Sequence, residues 1–115
     1  MFNMPIQEID ATELKQWIEA KGKTFRIIDV REAMEHAQGT IPNAELMPLS
    51  TLGNRIHEIE KEGEIVFICR SGARSGQVCA YLSNMGYDKV YNLRGGMIGW
   101  VRSGFQPVAP MSQSA

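Results

Sequence analysis

The sequence contains an unbroken apolar run, Ile65-Val66-Phe67-Ile68-Cys69, which Glu64 precedes and a Gly- and Arg-bearing loop follows directly. Its β-branched and aromatic residues favour a strand. A strand whose consecutive residues are apolar, rather than every second one, is typical of burial on both faces. We therefore predict a central strand over 64–69. A second run, Phe25-Arg26-Ile27-Ile28-Asp29-Val30, predicts another strand buried on both faces.

Helical and extended patterns alternate along the rest of the chain. Asp10 and Glu13 are spaced as a capping box, which predicts a helix from there to about Lys21, with Gly22 ending it. Strict alternation of strands and helices predicts an α/β fold, with a mostly parallel sheet and helices on both of its faces. The other predicted elements are strands at 6–9, 45–46 and 89–93, helices at 32–37 and 75–85, and a last short helix that holds Trp100. A further helix, capped by Ser50, would include Leu52, Ile56 and Ile59 and end before Gly63.

Length and composition bound the class of protein. A chain of 115 residues fits one domain, so we predict a single domain over 1–115, with a core at about 6–107 and a flexible tail at 108–115. A hydrophobic share of 43% and a charged share of 22% are typical of a globular protein. The net charge of -1 offers no basic excess for a nucleic-acid partner.

The cysteine content and the first residues indicate a compartment. Two cysteines without a C-x-x-C spacing are too few for a disulfide framework and fit a reducing interior. Residues 1–5 lack the basic and apolar regions of a signal peptide. No apolar run is long enough to span a bilayer. We expect a cytoplasmic protein that has no membrane partner.

The loop after the central strand is the predicted site of chemistry. Ligands of open α/β sheets bind beyond the carboxyl ends of the strands, which is where Cys69 lies. The loop opens a helix, whose free N–H groups and dipole attract anions. Arg70 and Arg74 add two permanent charges, and both effects lower the pKa of a cysteine thiol. We therefore predict that Cys69 is a nucleophilic thiolate.

Cys79 is predicted to have a different role. It lies within a helical pattern, beside Val78 and near Leu82, and it has no basic neighbour. A cysteine in such a position is usually a small core hydrophobe. We assign Cys79 to packing and Cys69 to catalysis.

Three separated stretches, in the same order, resemble signatures of the rhodanese family of sulfurtransferases. The loop Cys69-Arg70-Ser71-Gly72-Ala73-Arg74-Ser75 is similar to the family's active-site loop. The stretch Asp29-Val30-Arg31-Glu32, continuing to residues 39–44, resembles its N-terminal signature, and residues 90–100 resemble its C-terminal one. The resemblance extends from about Ile6 to Pro107.

This resemblance implies a rhodanese-like, three-layer domain with a parallel sheet of about five strands. It also implies that Cys69 takes sulfur from an anionic donor, with thiosulfate favoured, and passes it as a persulfide to cyanide or a thiol. Asp29 and Arg31 would organise the neighbouring loops. No metal or organic cofactor is implied. The donor would be bound by the loop residues Arg70, Ser71, Gly72, Ala73, Arg74 and Ser75.

Some residues depart from the family's pattern. Thr40 and Asn43 stand where the family often has His and Gly, although Asn tolerates the left-handed conformation. We expect His36 to be a surface residue without a role. The pair Gly95-Gly96 and Trp100 are assigned to turn geometry and packing.

Three other functions stay open at this point. A related phosphatase or arsenate reductase would also place Cys and Arg around an anion, but its usual C-x5-R spacing is longer than the x4 spacing between Cys69 and Arg74. A binding module or persulfide carrier would serve a protein partner that accepts the sulfur. In an ordinary structural domain, Cys69 would have a thiol pKa of about 8.5 or higher and would react slowly with alkylating reagents.

Overall fold

The two apolar runs form the middle of a five-stranded parallel sheet. The computed structural model describes residues 5–111, and its strands are β1 (Gln7–Ile9), β2 (Arg26–Asp29), β3 (Ala44–Leu46), β4 (Ile65–Ile68) and β5 (Val90–Leu93). They are ordered β1-β5-β4-β2-β3, and every neighbouring pair is parallel. Every residue of β4 is buried. The predicted central position of this strand is therefore confirmed.

Five α-helices connect and cover the strands. They are α1 (Ala11–Glu19), α2 (Ala33–Ala37), α3 (Leu49–Leu52), α4 (Ala73–Asn84) and α5 (Gly96–Arg102). The predicted capping box is present at α1, where Asp10 and Glu13 exchange side-chain to backbone hydrogen bonds of 2.9 and 3.0 Å. The helix ends at Glu19, two residues before the predicted end, because Ala20 already has an extended backbone.

Successive residues of β4 supply two separate cores, one on each face of the sheet. Ile65 and Phe67 pack with the buried face of α4. Val66 and Ile68 point to the opposite face, where Leu14 of α1 and Trp100 of α5 cover them. Because both faces are covered, an apolar residue is needed at every position of the strand. The predicted three-layer arrangement, with helices on both faces, is confirmed.

The prediction of one continuous helix capped by Ser50 is wrong, because the helix starts earlier and is interrupted at Gly53. Ser50 is exposed and lies inside α3, which begins after Pro48. The carbonyl of Pro48 accepts 2.8 Å hydrogen bonds from both the N–H and the hydroxyl of Thr51. From Gly53 the chain tightens into a 3-10 helix (Gly53–Glu58), which is consistent with the low helix propensity of glycine.

The prediction of a flexible tail at 108–115 is wrong at Val108. Its backbone exchanges two hydrogen bonds of 2.9 and 2.8 Å with Thr40, and this bridge holds the segment against the loop before β3. The last four residues of the predicted tail, 112–115, lie outside the described residues. Asn43 has a φ of 67°, as its tolerance of the left-handed conformation allows. Among residues 5–111, no helix combines the length and the apolar character needed to cross a bilayer.

Candidate active site

Cys69 follows β4 directly, at the edge where the carboxyl ends of all five strands meet. The chain reverses at once into α4, which begins at Ala73 after a left-handed Gly72 with a φ of 102°. A Cβ at residue 72 would also lie 3.3 Å from the Gly95 nitrogen and the Leu93 oxygen. Both the backbone angle and the lack of space therefore require glycine here.

The start of α5 holds the outer side of this loop. The N–H groups of Met97 and Ile98 donate to the carbonyls of Cys69 and Arg70 at 2.9 and 3.0 Å. A Cβ on Gly96 would lie 2.5 Å from both of these carbonyl oxygens. Residue 96 therefore has to be glycine because the loop backbone packs against it, in addition to its predicted role in the turn. Because the carbonyls point toward α5, the loop N–H groups are left to face the sulfur.

The Cys69 sulfur lies inside a ring of donors. Gly72 N–H donates to Sγ at 3.1 Å and Ser75 N–H at 3.4 Å, while the Ser75 hydroxyl oxygen lies 3.3 Å away. Cys69 is buried, and this burial alone would raise its thiol pKa. The hydrogen bonds from Ser75, Gly72 and Ser71 outweigh burial and lower the pKa of Cys69 below its ordinary value of 9.0.

The two loop arginines have different settings. Arg70 is exposed at the mouth of the loop. Arg74, by contrast, forms a two-pronged ion pair with Glu35 of α2, with both N–O distances at 2.9 Å. This pairing lowers the pKa of Glu35 to about 2. The predicted binding of the donor by both arginines therefore has to take account of the Glu35 carboxylate, which already holds Arg74.

The remaining predicted loop residues divide into an exposed rim and a buried floor. Ser71 and Ala73 are exposed, so their side chains border the opening. Ser75 is fully buried and contacts Cys69 through both its N–H and its hydroxyl group. Apart from Arg70, the exposed side chains of the loop are therefore small.

Asp29 lies at the carboxyl end of β2 and is the centre of a buried polar network. Arg31 Nη2 lies 2.8 Å from Asp29 Oδ2, and Arg31 also donates to the Gly39 carbonyl at 2.7 Å. The Thr40 hydroxyl donates to the same carboxylate oxygen at 3.0 Å. Burial opposes the charge, but the bonds from Arg31 and His36 lower the pKa of Asp29 below its usual range. Arg31 thus contacts the loop before β3.

The expectation that His36 is a surface residue is wrong. It is buried at the end of α2, and its Nδ1 lies 2.9 Å from Asp29 Oδ2. Its position follows from the turn of α2, which directs residue 36 toward the sheet while Glu35 reaches Arg74. The short polar helix gave no apolar face from which this orientation could be predicted.

Asn92 is a site residue that the sequence analysis did not single out. It is buried in β5, where its Oδ1 accepts from the Ser75 hydroxyl. Its Nδ2 donates to Glu8 on β1 at 2.8 Å and to the Gly72 carbonyl at 3.1 Å. The available signal is an uncharged polar residue between apolar ones in a predicted strand, because such a group needs hydrogen-bond partners if the strand is buried.

These features agree with a match to a family model, described as the rhodanese-like domain, that covers residues 10–103. The chain belongs to the rhodanese family. Two relatives are a sulfurtransferase of Allochromatium vinosum, 46% identical over 91% of this chain and 97% of that protein, and the thiosulfate sulfurtransferase GlpE of Actinobacillus pleuropneumoniae serotype 3, 30% identical over 84% of this chain and 88% of that protein. The likeness supports a role in sulfur transfer.

Solved rhodanese structures share the fold. A rhodanese-like domain protein of Staphylococcus aureus superposes with a TM-score of 0.77 at 36% identity, covering 83% of this chain and 91% of that one. The predicted rhodanese-like fold is therefore confirmed. The departure from the family pattern at Thr40 is accommodated through Asp29, since the threonine hydroxyl belongs to that buried network.

The second cysteine of this rhodanese domain lies in a different environment. Cys79 is completely buried on α4, and burial raises its thiol pKa to about 12. Both cysteines are free thiols. Within residues 5–111, no group of three or more His, Cys, Asp or Glu side chains could hold a metal ion.

A cleft of about 650 Å³ opens beside the active loop of the domain. Its walls combine guanidinium groups with apolar side chains. Among the described residues, neither Arg70 nor Arg102 makes a salt bridge within the protein. The lining residues are Arg31, Glu35, Gln38, Gly39, Arg70, Met97, Ile98, Val101, Arg102 and Pro107.

Proposed function

We propose that this protein is a sulfurtransferase that moves a sulfane sulfur from thiosulfate to a thiophilic acceptor through a persulfide on Cys69. One observation gives the main support. The Cys69 sulfur lies within 3.1–3.4 Å of two backbone N–H groups and a hydroxyl oxygen at the start of a helix. Such donors stabilise a sulfur anion and cost no reorganisation when charge develops.

In the first half-reaction, the Cys69 thiolate attacks the outer sulfur of thiosulfate. The new S–S bond forms as the bond between the two thiosulfate sulfurs breaks, and sulfite leaves with that electron pair. The negative charge of the resulting persulfide lies on its outer sulfur, where the N–H groups of the loop can bind it. Arg70, exposed at the mouth of the loop, attracts the dianionic donor.

In the second half-reaction, a thiol or cyanide attacks the outer sulfur and releases the Cys69 thiolate. The acceptor leaves as a persulfide or as thiocyanate, so the enzyme returns to its starting state. No organic cofactor or metal takes part in either step. Two half-reactions that share one covalent intermediate predict ping-pong kinetics.

An acceptor carried on a protein is the second candidate, and the cleft favours it. The cleft is far larger than thiosulfate or cyanide requires, and apolar Met97, Ile98 and Val101 contribute to its walls. Val101 is 52% exposed, although it is apolar. In this case the domain would pass sulfur to an accepting protein and would react slowly with small acceptors.

The covalent intermediate provides the test. The reduced protein is incubated with thiosulfate and its intact mass is measured. We expect a gain of one sulfur atom, reversed by cyanide or by a thiol. Cys69→Ala should lose the gain, and the matched variant Cys79→Ala should keep it. No gain from thiosulfate, polysulfide or a low-molecular-weight persulfide would contradict the proposal. Loading without release to small acceptors would favour the protein acceptor.

A further inference from the structure

The Ser75 hydroxyl lies between two groups that can each accept its single hydrogen. Its oxygen is 3.3 Å from Cys69 Sγ on one side and in hydrogen-bond contact with Asn92 Oδ1 on the other. A serine hydroxyl has one O–H donor and two acceptor lone pairs. It can therefore donate to the sulfur or to the amide, but not fully to both.

The orientation of the Asn92 amide is fixed by its other partners. Its Nδ2 faces the Glu8 carboxylate at 2.8 Å and the Gly72 carbonyl at 3.1 Å, both of which are acceptors. A flipped amide would place its oxygen against both of these oxygens. Glu8 and Asn92 are also paired across β1 and β5. These two partners therefore fix the amide with its carbonyl oxygen toward Ser75.

Burial makes the choice of acceptor matter. Cys69 is 1% exposed, Ser75 0% and Asn92 3%. A buried acceptor that loses its donor is left without a hydrogen bond, and this raises the free energy of that state of the protein. The distribution of this one hydrogen then depends on the charge of the sulfur.

The three states of the sulfur differ in how well they suit this arrangement. A protonated Cys69 can donate S–H to Ser75, which donates onward to Asn92, so all three groups are satisfied. A thiolate attracts the same hydroxyl hydrogen and leaves Asn92 Oδ1 unpaired if the hydroxyl turns. In a persulfide the charge has moved to the outer sulfur, Sγ is neutral, and the hydroxyl can again donate to Asn92.

We propose that Asn92 is a positioning residue that competes with the Cys69 thiolate for the Ser75 hydroxyl hydrogen and thereby favours the sulfur-loaded state over the empty one. The inference rests on the proposed persulfide function. It assigns a role to a side chain that contacts neither the donor nor the reacting sulfur. Glu8 acts one step further away, because its carboxylate helps to hold the amide in place.

Charged and titratable groups on the surrounding elements could also act on Cys69. Arg74 and Cys79 of α4 both interact electrostatically with it, and Arg70 follows it in the loop. Glu8 lies on the far side of Asn92 and carries a negative charge. A test of the hydroxyl has to separate its effect from the charge of Glu8.

A double-mutant cycle on Asn92 and Ser75 makes this separation. The pH profile of Cys69 alkylation is measured in Asn92→Leu, Ser75→Ala and the double variant. We expect Asn92→Leu to lower the midpoint by about one pH unit, the value of one hydrogen bond, because the freed hydroxyl can donate to the thiolate. In the Ser75→Ala background the same change should have no effect.

Two results would overturn the proposal. One is an unchanged or raised midpoint in Asn92→Leu, and the other is an equal shift with and without the Ser75 hydroxyl. Glu8→Gln is the charge control, since its amide oxygen can still accept from Asn92, and it should move the midpoint much less than Asn92→Leu does. An equal shift in Glu8→Gln would assign the effect to charge and would also count against the proposal.

A measurement on the unaltered protein covers the case in which Asn92→Leu does not fold. The side-chain amide resonances of Asn92 are followed by NMR while Cys69 is titrated. They should shift when the thiolate forms and return toward their thiol-state positions when sulfur is loaded at the same pH. Asn92 amide chemical shifts that do not change when Cys69 is deprotonated would contradict the proposal. Since alkylation and titration need no sulfur donor, a failure of the persulfide function would appear separately as absent loading.

Discussion

Cys69 and Cys79 lie ten residues apart, are almost equally buried, and pack in the same hydrophobic core. Their thiol pKa values are nevertheless shifted in opposite directions from the ordinary value. Burial raises the pKa of both thiols. For Cys79 no donor compensates, and its pKa reaches about 12. For Cys69 the N–H groups of the loop and the Ser75 hydroxyl reverse the effect.

This difference shows that hydrogen-bond donors at the start of a helix, rather than exposure or nearby arginines, distinguish the reactive thiol. Desolvation followed by Ser75, Gly72 and Ser71 are the largest influences on the pKa of Cys69. A cysteine in mid-helix meets no free N–H group, because the helix uses its own amides. A cysteine just before a helix meets several of them.

The largest effect should be a difference in alkylation between the two thiols of the folded protein. At neutral pH a thiol pKa of about 12 gives about a thousandfold less thiolate than a value of 9.0 does, and Cys69 lies below 9.0. We expect iodoacetamide at pH 7 to modify Cys69 alone, as mapped by peptide mass spectrometry. The rate at Cys69 should rise with pH and level off above its pKa.

Unfolded protein is the control for this experiment. In denaturant both thiols return to ordinary acidity, so they should react at similar rates. Comparable reactivity of Cys69 and Cys79 in the folded protein would remove the contrast on which the assignment of the nucleophile depends.

The next effect concerns Gly96, which shapes the loop around only one of the two cysteines. In Gly96→Ala the new Cβ would lie 2.5 Å from the carbonyls of Cys69 and Arg70, so the loop has to move. A displacement of about 1 Å in an active site can lower the rate about a hundredfold, and we expect a loss of that order in sulfur transfer. The alkylation rate of Cys69 should fall as well, while Cys79 stays unreactive.

Gly22→Ala is the matched control, because Gly22 has a φ of 81° and no atom within 4 Å of the added Cβ. It carries the same left-handed strain, about 1–2 kcal/mol of stability, without touching the loop. Equal losses of transfer in the two alanine variants would show that strain, and not loop geometry, lowers the rate.

Much of the fold and the reactive thiol could be predicted from the sequence because those signals are local. The apolar run 65–69 indicates burial on both faces, and the capping box at Asp10 needs only two residues, which are three positions apart. Cys69 could be separated from Cys79 by its place before a helix. Local patterns of this kind survive without knowledge of the tertiary contacts.

The parts that could not be predicted depend on contacts between distant segments. His36 is buried through Asp29, and Arg74 is held by Glu35, a residue 39 positions away. Asn92 meets Glu8 over a separation of 84 residues. Val108 is fixed by pairing with Thr40. The local sequence around each of these groups does not indicate its partner, because the two come together only when the sheet is assembled.

The smallest effect should come from the Glu35 carboxylate, which competes with an anionic donor for Arg74. In Glu35→Gln the neutral amide leaves more of the Arg74 charge available, so we expect the KM for thiosulfate to fall about two- to threefold at low salt, with kcat unchanged. The advantage should vanish at high salt, where exposed charges are screened. Because the pKa of Glu35 is about 2, the pair stays ionised down to about pH 3, and the difference should persist across that range.

Glu58→Gln is the matched control for this last variant. Glu58 forms a similar two-pronged pair with Arg55, with both N–O distances at 2.9 Å, but it lies on the 3-10 helix and not beside the loop. It changes the net charge equally, so its KM should stay near that of the unaltered protein. A raised KM in Glu35→Gln alone would mean that Glu35 instead holds Arg74 in the position that binds the donor, and Arg74 would then act as a fixed part of the loop.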